Sequence, residues 1–402
     1  MFEGLSVLYE VPGEKGLVLW QSLRDCLLWG QARPDARGEL FADGAEPTRL
    51  ASMLAAGLPP EAEEPLRTIA SMVGSPETAR EENVALACRQ LSLWAEERGM
   101  MAVALAFAQA SAVVTPGDPA AAYAVGLLAR RRAEYARAET WFRRTIALSR
   151  QAGDWPTYAL AFVGLGNLYV QRGNFPAARR FHTRALRAAG RNSLHHVEGM
   201  ALHDLFGIAL ETGETADAHE LARAALEAYG PGHPSLPRLA HDVAYFWTTQ
   251  GYFAQALAVL QQLLPLFAQP AGRVLLLADI ARAAGGIGRK DQFQQAWDEA
   301  WELIHTGDVD ESAARALLDL AHGAASLGVW DRAERAAQAA LDIATRRNEA
   351  KVRLTAESVL DSARHHRLAE SRADVSVAEG ETADSLASEF VRSLSLFEGV
   401  AS

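Results

Sequence analysis

Several features that mark particular classes of protein are scarce in this chain of 402 residues. The only two cysteines, Cys26 and Cys88, are far apart and fit neither a metal-binding nor a redox spacing, so a disulfide framework is not expected and a reducing compartment fits. No apolar run approaches the ~18 residues needed to cross a bilayer, and residues 1–16 lack the basic start of a secretory signal. These absences predict a soluble cytoplasmic protein with no membrane partner.

Lysine is also rare, since three of the 39 basic residues are lysine and the rest are arginine. This bias is typical of a bacterial genome rich in G and C. The formal net charge is −11, whereas a protein that binds nucleic acid needs clustered cations. The overall charge balance therefore predicts that nucleic acid is not a partner.

Complete catalytic, metal-binding and phosphate-binding motifs are missing as well. No lysine follows a glycine, as a phosphate-binding P-loop would require, and Arg223 stands where a zincin-like pattern that begins at His219 needs a second histidine. Ser326 lies in a sequence similar to a nucleophile elbow, but between helical segments instead of after a strand. Asp308 belongs to an acidic loop without the glycine and distal glutamate of an EF-hand. The sequence predicts a protein that is not an enzyme and has no metal or cofactor.

The chain is rich in helical sequence that is interrupted by regularly spaced turns. Apolar residues make up 49% of it, alanine is frequent and β-branched residues are sparse, which favours helices. Each turn separates two apolar-periodic segments, and most units have an aliphatic residue eight positions before the turn and a small residue five positions after it. The turn residues are Gly99, Ala133, Gly173, Gly213, Gly251, Gly288 and Gly328.

This pattern resembles the tetratricopeptide repeat over roughly residues 85–346. Units that start at 85, 119, 159, 199, 237, 274 and 314 are 34 to 40 residues apart, and the family period is 34. Two units depart from the family by placing Phe206 and Phe293 where it keeps a small residue. The resemblance implies an all-α, right-handed superhelical solenoid of about seven helix–turn–helix hairpins, in which Gly166 lies where the two helices of its hairpin meet.

The two ends of the chain do not fit the repeat. Residues 1–80 are predicted to form a mainly helical module, in which two apolar runs could pair as a short β-hairpin over residues 5–20. This module could be a cap for the solenoid or a separate effector. The solenoid itself is expected to occupy residues 81–346, with a capping helix at 347–371.

Residues 372–402 are predicted to be an acidic linker followed by an amphipathic segment. One helical face of this segment carries the apolar residues Leu386, Phe390, Leu394 and Phe397. Residues 369–402 contain seven acidic residues and two arginines. The expected ligand positions of the repeats are mostly Arg, His, Tyr and Asn, so charge favours intramolecular docking of residues 385–402 onto that ligand-binding groove. The alternatives are a helix offered to a partner and a disordered end.

The resemblance also implies where a ligand would bind. In tetratricopeptide arrays the first helices of the hairpins line a concave groove, and contacts usually come from fixed positions of each unit. The side chains at these positions are mainly hydrogen-bond donors, which suit peptide backbones and carboxylates. The expected ligand-binding residues are Tyr123, Arg130, Arg131, Asn167, Gln171, His203, Arg238, His241, Tyr245, Arg282, Arg315 and His322.

The expected function is a non-catalytic scaffold or regulatory adaptor that binds a protein or peptide in this groove. The architecture, a helical module followed by about seven repeats, is also similar to that of the Rap-type peptide-responsive regulators of bacteria. A further alternative is the sensor half of an effector whose activity lies in residues 1–80. The sequence leaves these alternatives open.

Overall fold

The computed structural model describes residues 5–306, 309–367 and 377–397, and over these ranges the chain is helical with no strand. It divides into two compact units, Met1–Val197 and Glu198–Ser402. This division differs from the predicted boundary after residue 80, because the helices of residues 5–80 pack against those that follow them. None of the described helices is both long enough and apolar enough to cross a membrane.

The first unit contains ten α-helices and one 3-10 turn, at Pro34–Glu39, among its described residues. Helix α5 pairs with α6, α7 with α8 and α9 with α10, so the repeat region is a series of helical hairpins. The helices are α1 (Leu5–Glu10), α2 (Glu14–Gln31), α3 (Ala45–Ala56), α4 (Pro60–Gly74), α5 (Glu81–Glu97), α6 (Met101–Val114), α7 (Pro119–Arg131), α8 (Tyr135–Ala152), α9 (Trp155–Gln171) and α10 (Phe175–Arg191).

The second unit continues the same alternation of a first and a second helix. The pairs α13–α14, α15–α16 and α17–α18 pack as hairpins. The helices are α11 (His195–Thr212), α12 (Ala218–Tyr229), α13 (Leu236–Gln250), α14 (Phe253–Leu263), α15 (Pro270–Gly286), α16 (Lys290–Thr306), α17 (Asp310–Ser326), α18 (Trp330–Arg346), α19 (Ala350–Arg364) and α20 (Val377–Leu394).

The turn residues that were aligned in the sequence share one backbone conformation. All seven have positive φ, from 58° at Ala133 to 88° at Gly251. Glycine adopts this left-handed region without steric cost, so it ends one helix and lets the chain reverse into the next. Ala133 adopts the same conformation although its Cβ disfavours it, which places the turn of the 119 unit in register with the others.

Small residues on the first helices make room for large rings on the second helices. Phe142 of α8 is fully buried and inserts between Gly126 of α7 and Gly164 of α9. A Cβ at Gly126 would lie 2.8 Å from its ring, and a Cβ at Gly164 would lie 2.5 Å from it. Gly166 faces the buried His182 of α10 in the same way. These contacts confirm that Gly166 lies where the two helices of its hairpin meet.

The β-hairpin expected over residues 5–20 is wrong, because this segment forms α1 and the start of α2. The apolar residues Leu19, Leu23 and Cys26 are buried at helical spacings, and this period prevails over the short apolar runs that suggested strands. The Glu10 carboxylate accepts hydrogen bonds from the backbone N–H groups of Ala102 and Val103 at 2.9 and 2.8 Å. It therefore caps the start of α6, as an acidic side chain at a helix N-terminus is expected to do.

The amphipathic segment near the C-terminus forms α20, which packs against α12, α13 and α14. Leu386, Phe390 and Leu394 are buried, and the Phe390 ring meets the ring of Trp247 edge-on at 6.3 Å. Most of its contacts are with α12 and α14, the second helices of their pairs. Residues 385–394 of the segment expected to dock within the molecule belong to this packed helix, and residues 398–402 lie outside the described residues. The expectation that it docks on the ligand-binding positions is wrong, because apolar burial against α12–α14 decides its place.

Candidate functional site

An aspartate recurs at the same position of four consecutive units in the second half of the chain. The four residues, which we call the aspartate column, lie on the first helices α11, α13, α15 and α17, at intervals of 38, 37 and 40 residues. None of the four is among the ligand-binding residues expected from the sequence, because those residues are mainly donors at other positions of the first helices. Their signal is nevertheless visible in the aligned units as the sixth residue of each. The column consists of Asp204, Asp242, Asp279 and Asp319.

Three members of the column pair with a base on the preceding first helix. His203 Nε2 lies 2.9 Å from Asp242 Oδ2, and His241 Nε2 lies 2.9 Å from Asp279 Oδ2. These two contacts link α11 to α13 and α13 to α15.

The third pair links α15 to α17, where Arg282 Nη1 donates to Asp319 Oδ1 at 2.7 Å. Each of the three junctions between these first helices is therefore crossed by one acid–base contact.

The column is buried most deeply at α15 and α17. The side chain of Asp279 is 1% exposed, and those of Arg282 and Asp319 are 5% exposed. Burial, and then the charge of Asp279, raise the pKa of Asp319 to about 6, against the opposing charges of Arg282 and Arg315. Removing paired charges from water costs about as much free energy as their attraction returns. The buried pair is therefore expected to contribute little net free energy to folding.

Two groups at these contacts, His241 and Asp242, have shifted pKa values. Burial lowers the pKa of His241, but the hydrogen bond to Asp279 and the charges of Asp279 and Asp242 outweigh it, so the pKa is raised above its ordinary value. Burial raises the pKa of Asp242, but the hydrogen bond to His203 and the charges of both histidines outweigh it and hold that pKa below its usual range. Both shifts favour an imidazolium–carboxylate pair over two neutral groups.

The short distance between Arg282 and Asp319 depends on an unusually close approach of α15 and α17. A Cβ on Gly323 would lie 2.6 Å from the backbone oxygen of Ala281, and a Cβ on Gly285 would overlap the backbone of Gly323. Only glycine permits two helix backbones to come this close. The approach shields Arg282 and Asp319 from solvent and fixes their geometry.

Other predicted residues of the second unit surround the column and differ in exposure. Arg238 and Arg315 are exposed, whereas Tyr245 and His322 are half-buried. The Arg315 guanidinium lies over the Tyr245 ring, 4.3 Å from its centre, a favourable cation–π distance. Arg282 is the exception, because its ion pair with Asp319 removes it from the solvent-facing set. Arg282 is therefore buried in an ion pair, and its contact with a ligand stays a prediction.

The first unit does not continue the aspartate column beside its predicted residues. The sixth positions of its repeats hold Gln90, Ala124 and Gly164 instead of aspartate. Tyr123 and Asn167 are half-buried, as is Arg130, and Gln171 is exposed. Tyr123 packs against Phe142 with ring centres 5.8 Å apart, and Arg131 forms an ion pair with Glu96. The ordered polar array is therefore a feature of the second unit.

Two residues of the incomplete catalytic and metal-binding motifs, His219 and Ser326, form hydrogen bonds within the fold. His219 Nε2 accepts a hydrogen bond from the Trp247 indole at 2.9 Å, and the Ser326 hydroxyl donates to the backbone oxygen of His322 at 2.9 Å. Within the described ranges no three His, Cys, Asp or Glu side chains form a group that could hold a metal ion. Asp308 lies outside the described residues.

Comparison with known proteins gives one family match. Residues 118–191, which span α7 to α10, match the model of the tetratricopeptide repeat. No curated protein sequence matches the chain. The all-α class and the tetratricopeptide-like hairpins expected from the sequence are confirmed by this match and by the helices described above.

Three solved structures with similar folds are distant from this chain in sequence. A putative kinesin light chain of Podosopora anserina with nearly identical TPR-like repeats is 15% identical, with a TM-score of 0.39, over 47% of this chain and 95% of that one. PilF of Pseudomonas aeruginosa is 17% identical, with a TM-score of 0.45, over 58% and 99%. The apo form of the quorum sensor NprR from B. thuringiensis is 10% identical, with a TM-score of 0.49, over 78% and 97%.

Proposed function

Because residues 118–191 of this chain are tetratricopeptide repeats, we propose that the protein is a non-catalytic adaptor that binds a segment of another protein. We further propose that the contact surface is the first-helix face of the second unit, meaning the side chains of the aspartate column and the bases around it. The observation that carries this proposal is the recurrence of aspartate at one position of four consecutive first helices. Hairpin packing needs apolar and small residues, so it gives no reason for such a column.

The chemistry of this face favours a ligand of mixed charge. Arg238 and Arg315 offer exposed cations, while Asp204 and Asp242 offer half-exposed carboxylates a few residues away. An extended peptide presents backbone donors and acceptors along its length, and arginine binds carboxylates in a bidentate geometry. A peptide with both a basic and an acidic side chain therefore complements this face better than a uniformly acidic one.

The paired contacts between first helices support a preorganised site. Asp242 is held by His203 and Asp279 by His241, so their carboxylates are oriented before a ligand arrives. Orientation in advance reduces the conformational entropy that binding would otherwise cost. The proposed site is therefore suited to recognition by geometry as well as by charge.

The test uses peptides selected on the intact protein. A phage-displayed library of random peptides is selected against the full chain, and the affinities of synthetic copies are measured by fluorescence anisotropy. The variant Asp242→Asn/Arg315→Gln should weaken binding by about tenfold or more, since it removes one carboxylate and one cation from the face. The matched control, Asp342→Asn/Arg346→Gln on α18, should bind as the wild type does. Equal affinities for both variants would refute the proposed site.

A second candidate function is a peptide-responsive regulator, and the docking of α20 favours it. This helix is held on α12–α14 by a small set of contacts, including the Phe390–Trp247 ring pair and the hydrogen bond from Gln255 to Asp384 at 2.7 Å. Release of such a helix by a bound peptide would give the protein two states. Under this proposal, hydrogen exchange of residues 380–394 should rise when a selected peptide binds, and it should also rise in the variant Phe390→Ala. Unchanged protection of α20 would leave the adaptor function and eliminate the regulator.

The third alternative, an effector activity in residues 1–80, receives less support. Helices α2 and α4 pack against α6 and α5 within one compact unit, and Glu10 caps α6. This packing supports the proposal that residues 5–80 cap the first repeats.

A further inference from the structure

Positive charge is concentrated in one stretch of an otherwise acidic chain. Residues 130–196 contain thirteen arginines and three acidic residues, a net charge of +10, whereas the remaining residues contain 26 basic and 47 acidic ones, a net charge of −21. A solvated surface ordinarily mixes the two signs. The segregation marks residues 130–196 as a place where an anionic partner would be attracted.

Within this stretch the arginines of α10 form a single row. Arg180, Arg184, Arg187 and Arg191 follow one another at spacings of 4, 3 and 4 residues, which places them on one face of the helix. We call them the arginine stripe. All four are exposed, and the other exposed residues of α10 are Pro176 and Gly190. The solvent-facing side of α10 is therefore almost entirely arginine, and α10 contains no acidic residue.

The neighbouring basic helix differs because two of its four arginines form ion pairs with carboxylates. On α8, Arg143 pairs with Glu139 at 2.6 Å and Arg137 pairs with Glu134 at 2.8 Å. No carboxylate of the described residues forms an ion pair with any member of the arginine stripe. The nearest interaction is that of Arg184 with the Phe181 ring, 6.0 Å from its centre, which leaves the guanidinium N–H groups able to bind an anion.

We propose that the arginine stripe binds an acidic helix of a partner protein, whose carboxylates recur at the same spacings of 4, 3 and 4 residues. Two helices packed side by side present matching rows of side chains, and arginine is the preferred cation for bidentate binding of carboxylates. This surface lies on the second helix of its hairpin, so it is distinct from the first-helix face proposed above and does not depend on it.

The extent of the stripe favours an acidic helix over nucleic acid. The stripe extends over twelve residues of α10, and its first and last Cα atoms are about 17 Å apart along the helix axis at 1.5 Å per residue. A DNA strand in a duplex carries a phosphate every ~3.4 Å, so a duplex of more than about five base pairs would run beyond the stripe. The rest of the chain is strongly acidic and would repel it. A partner helix of about three turns has the same length as the stripe and would not extend beyond it.

The experiment uses the full chain and three labelled probes of equal charge, with binding followed by fluorescence anisotropy. The first is an alanine-rich peptide of about 15 residues with four glutamates at spacings of 4, 3 and 4. The second has the same composition with the glutamates distributed around the helix. The third is a short single-stranded oligonucleotide. The proposal predicts that the first probe binds about tenfold more tightly than the second, and that its affinity falls as salt rises.

The variant Arg180→Gln/Arg184→Gln/Arg187→Gln/Arg191→Gln should lose at least tenfold in affinity for the first probe, because glutamine keeps the helix and removes the charge. The milder Arg184→Gln/Arg187→Gln should lose a smaller factor. The matched control replaces four exposed arginines of the second unit by glutamine, and it should bind the probe unchanged. These control positions are Arg335, Arg346, Arg353 and Arg364.

Three results would overturn the proposal. They are equal affinity for both peptides, tighter binding of the oligonucleotide than of the first peptide, and equal losses in the α10 variant and its control. The proposed first-helix site is scored separately, since Asp242→Asn/Arg315→Gln should leave the acidic peptide bound while it weakens the library-selected peptides. Each proposal can therefore fail while the other holds.

Discussion

The sharpest prediction concerns Gly166, where α9 meets α10. A Cβ at this position would lie 2.5 Å from Cε1 and 2.6 Å from Cδ2 of His182, far inside van der Waals contact. His182 is fully buried, so its ring has little room to move. The substitution Gly166→Ala should therefore force the two helices apart or distort the ring.

The free-energy cost of this clash can be measured by comparison with a second glycine of the same hairpin. Gly190 lies in α10 with no atom within 4 Å of the place its Cβ would occupy. Gly190→Ala should raise the free energy of unfolding by about 0.5–1 kcal/mol through helix propensity alone. Gly166→Ala should gain the same free energy from helix propensity but lose about 1–3 kcal/mol through overpacking against His182. The difference between the two variants measures the clash.

Urea denaturation followed by circular dichroism gives both free energies, and the ring contact can be checked with a double-mutant cycle. In His182→Ala the space beside residue 166 is open, so Gly166→Ala should cost less in that background than in the wild type. If Gly166→Ala is as stable as Gly190→Ala, or if the cycle shows no coupling, the packing of α9 on α10 described here is wrong.

Two further predictions concern the paired charges of the first-helix face. Asp279→Asn should lower the pKa of His241, measured by NMR titration, because the Asp279 carboxylate raises that pKa. The stabilisation of the fold by His241 is fully present below about pH 6.5 and is lost as the pH rises through the raised pKa of His241. An unchanged pKa in the variant would contradict the pairing. Arg282→Met should lower the free energy of unfolding by about 3–5 kcal/mol, because it leaves the buried Asp319 carboxylate without its partner. The double variant Arg282→Met/Asp319→Leu should recover most of that loss in urea denaturation. Additive losses from the two substitutions would show that the pair does not act as a unit.

The repeat register could be predicted from the sequence because it follows local rules. A turn with positive φ favours glycine whatever surrounds it, so Gly173 and Gly251 marked their turns without knowledge of the fold. The helical period of Leu386, Phe390 and Leu394 likewise predicted an amphipathic helix. The surface that this helix covers could not be predicted, because it is assembled from three other helices.

The candidate site could be predicted only in part from the sequence, for a related reason. Arg282 was expected to face a ligand, and only the contact of α15 with α17 at Gly285 and Gly323 reveals that it is buried. The aspartate column was present in the aligned units, but an isolated aspartate on a helix carries little information. Its meaning depends on which base lies opposite it on the preceding helix, and that pairing is a property of the folded chain.

The position of α20 has a consequence for the order in which the chain is made. The surface of α12–α14 that it covers is synthesised more than a hundred residues before α20 itself, so Trp247 must wait for the C-terminal segment to leave the ribosome. Contacts of such long sequence separation form late, and apolar surface exposed in the meantime invites aggregation. A chain cut short before residue 377 would keep that surface open, and it would be recognisable to chaperones and proteases as unfinished.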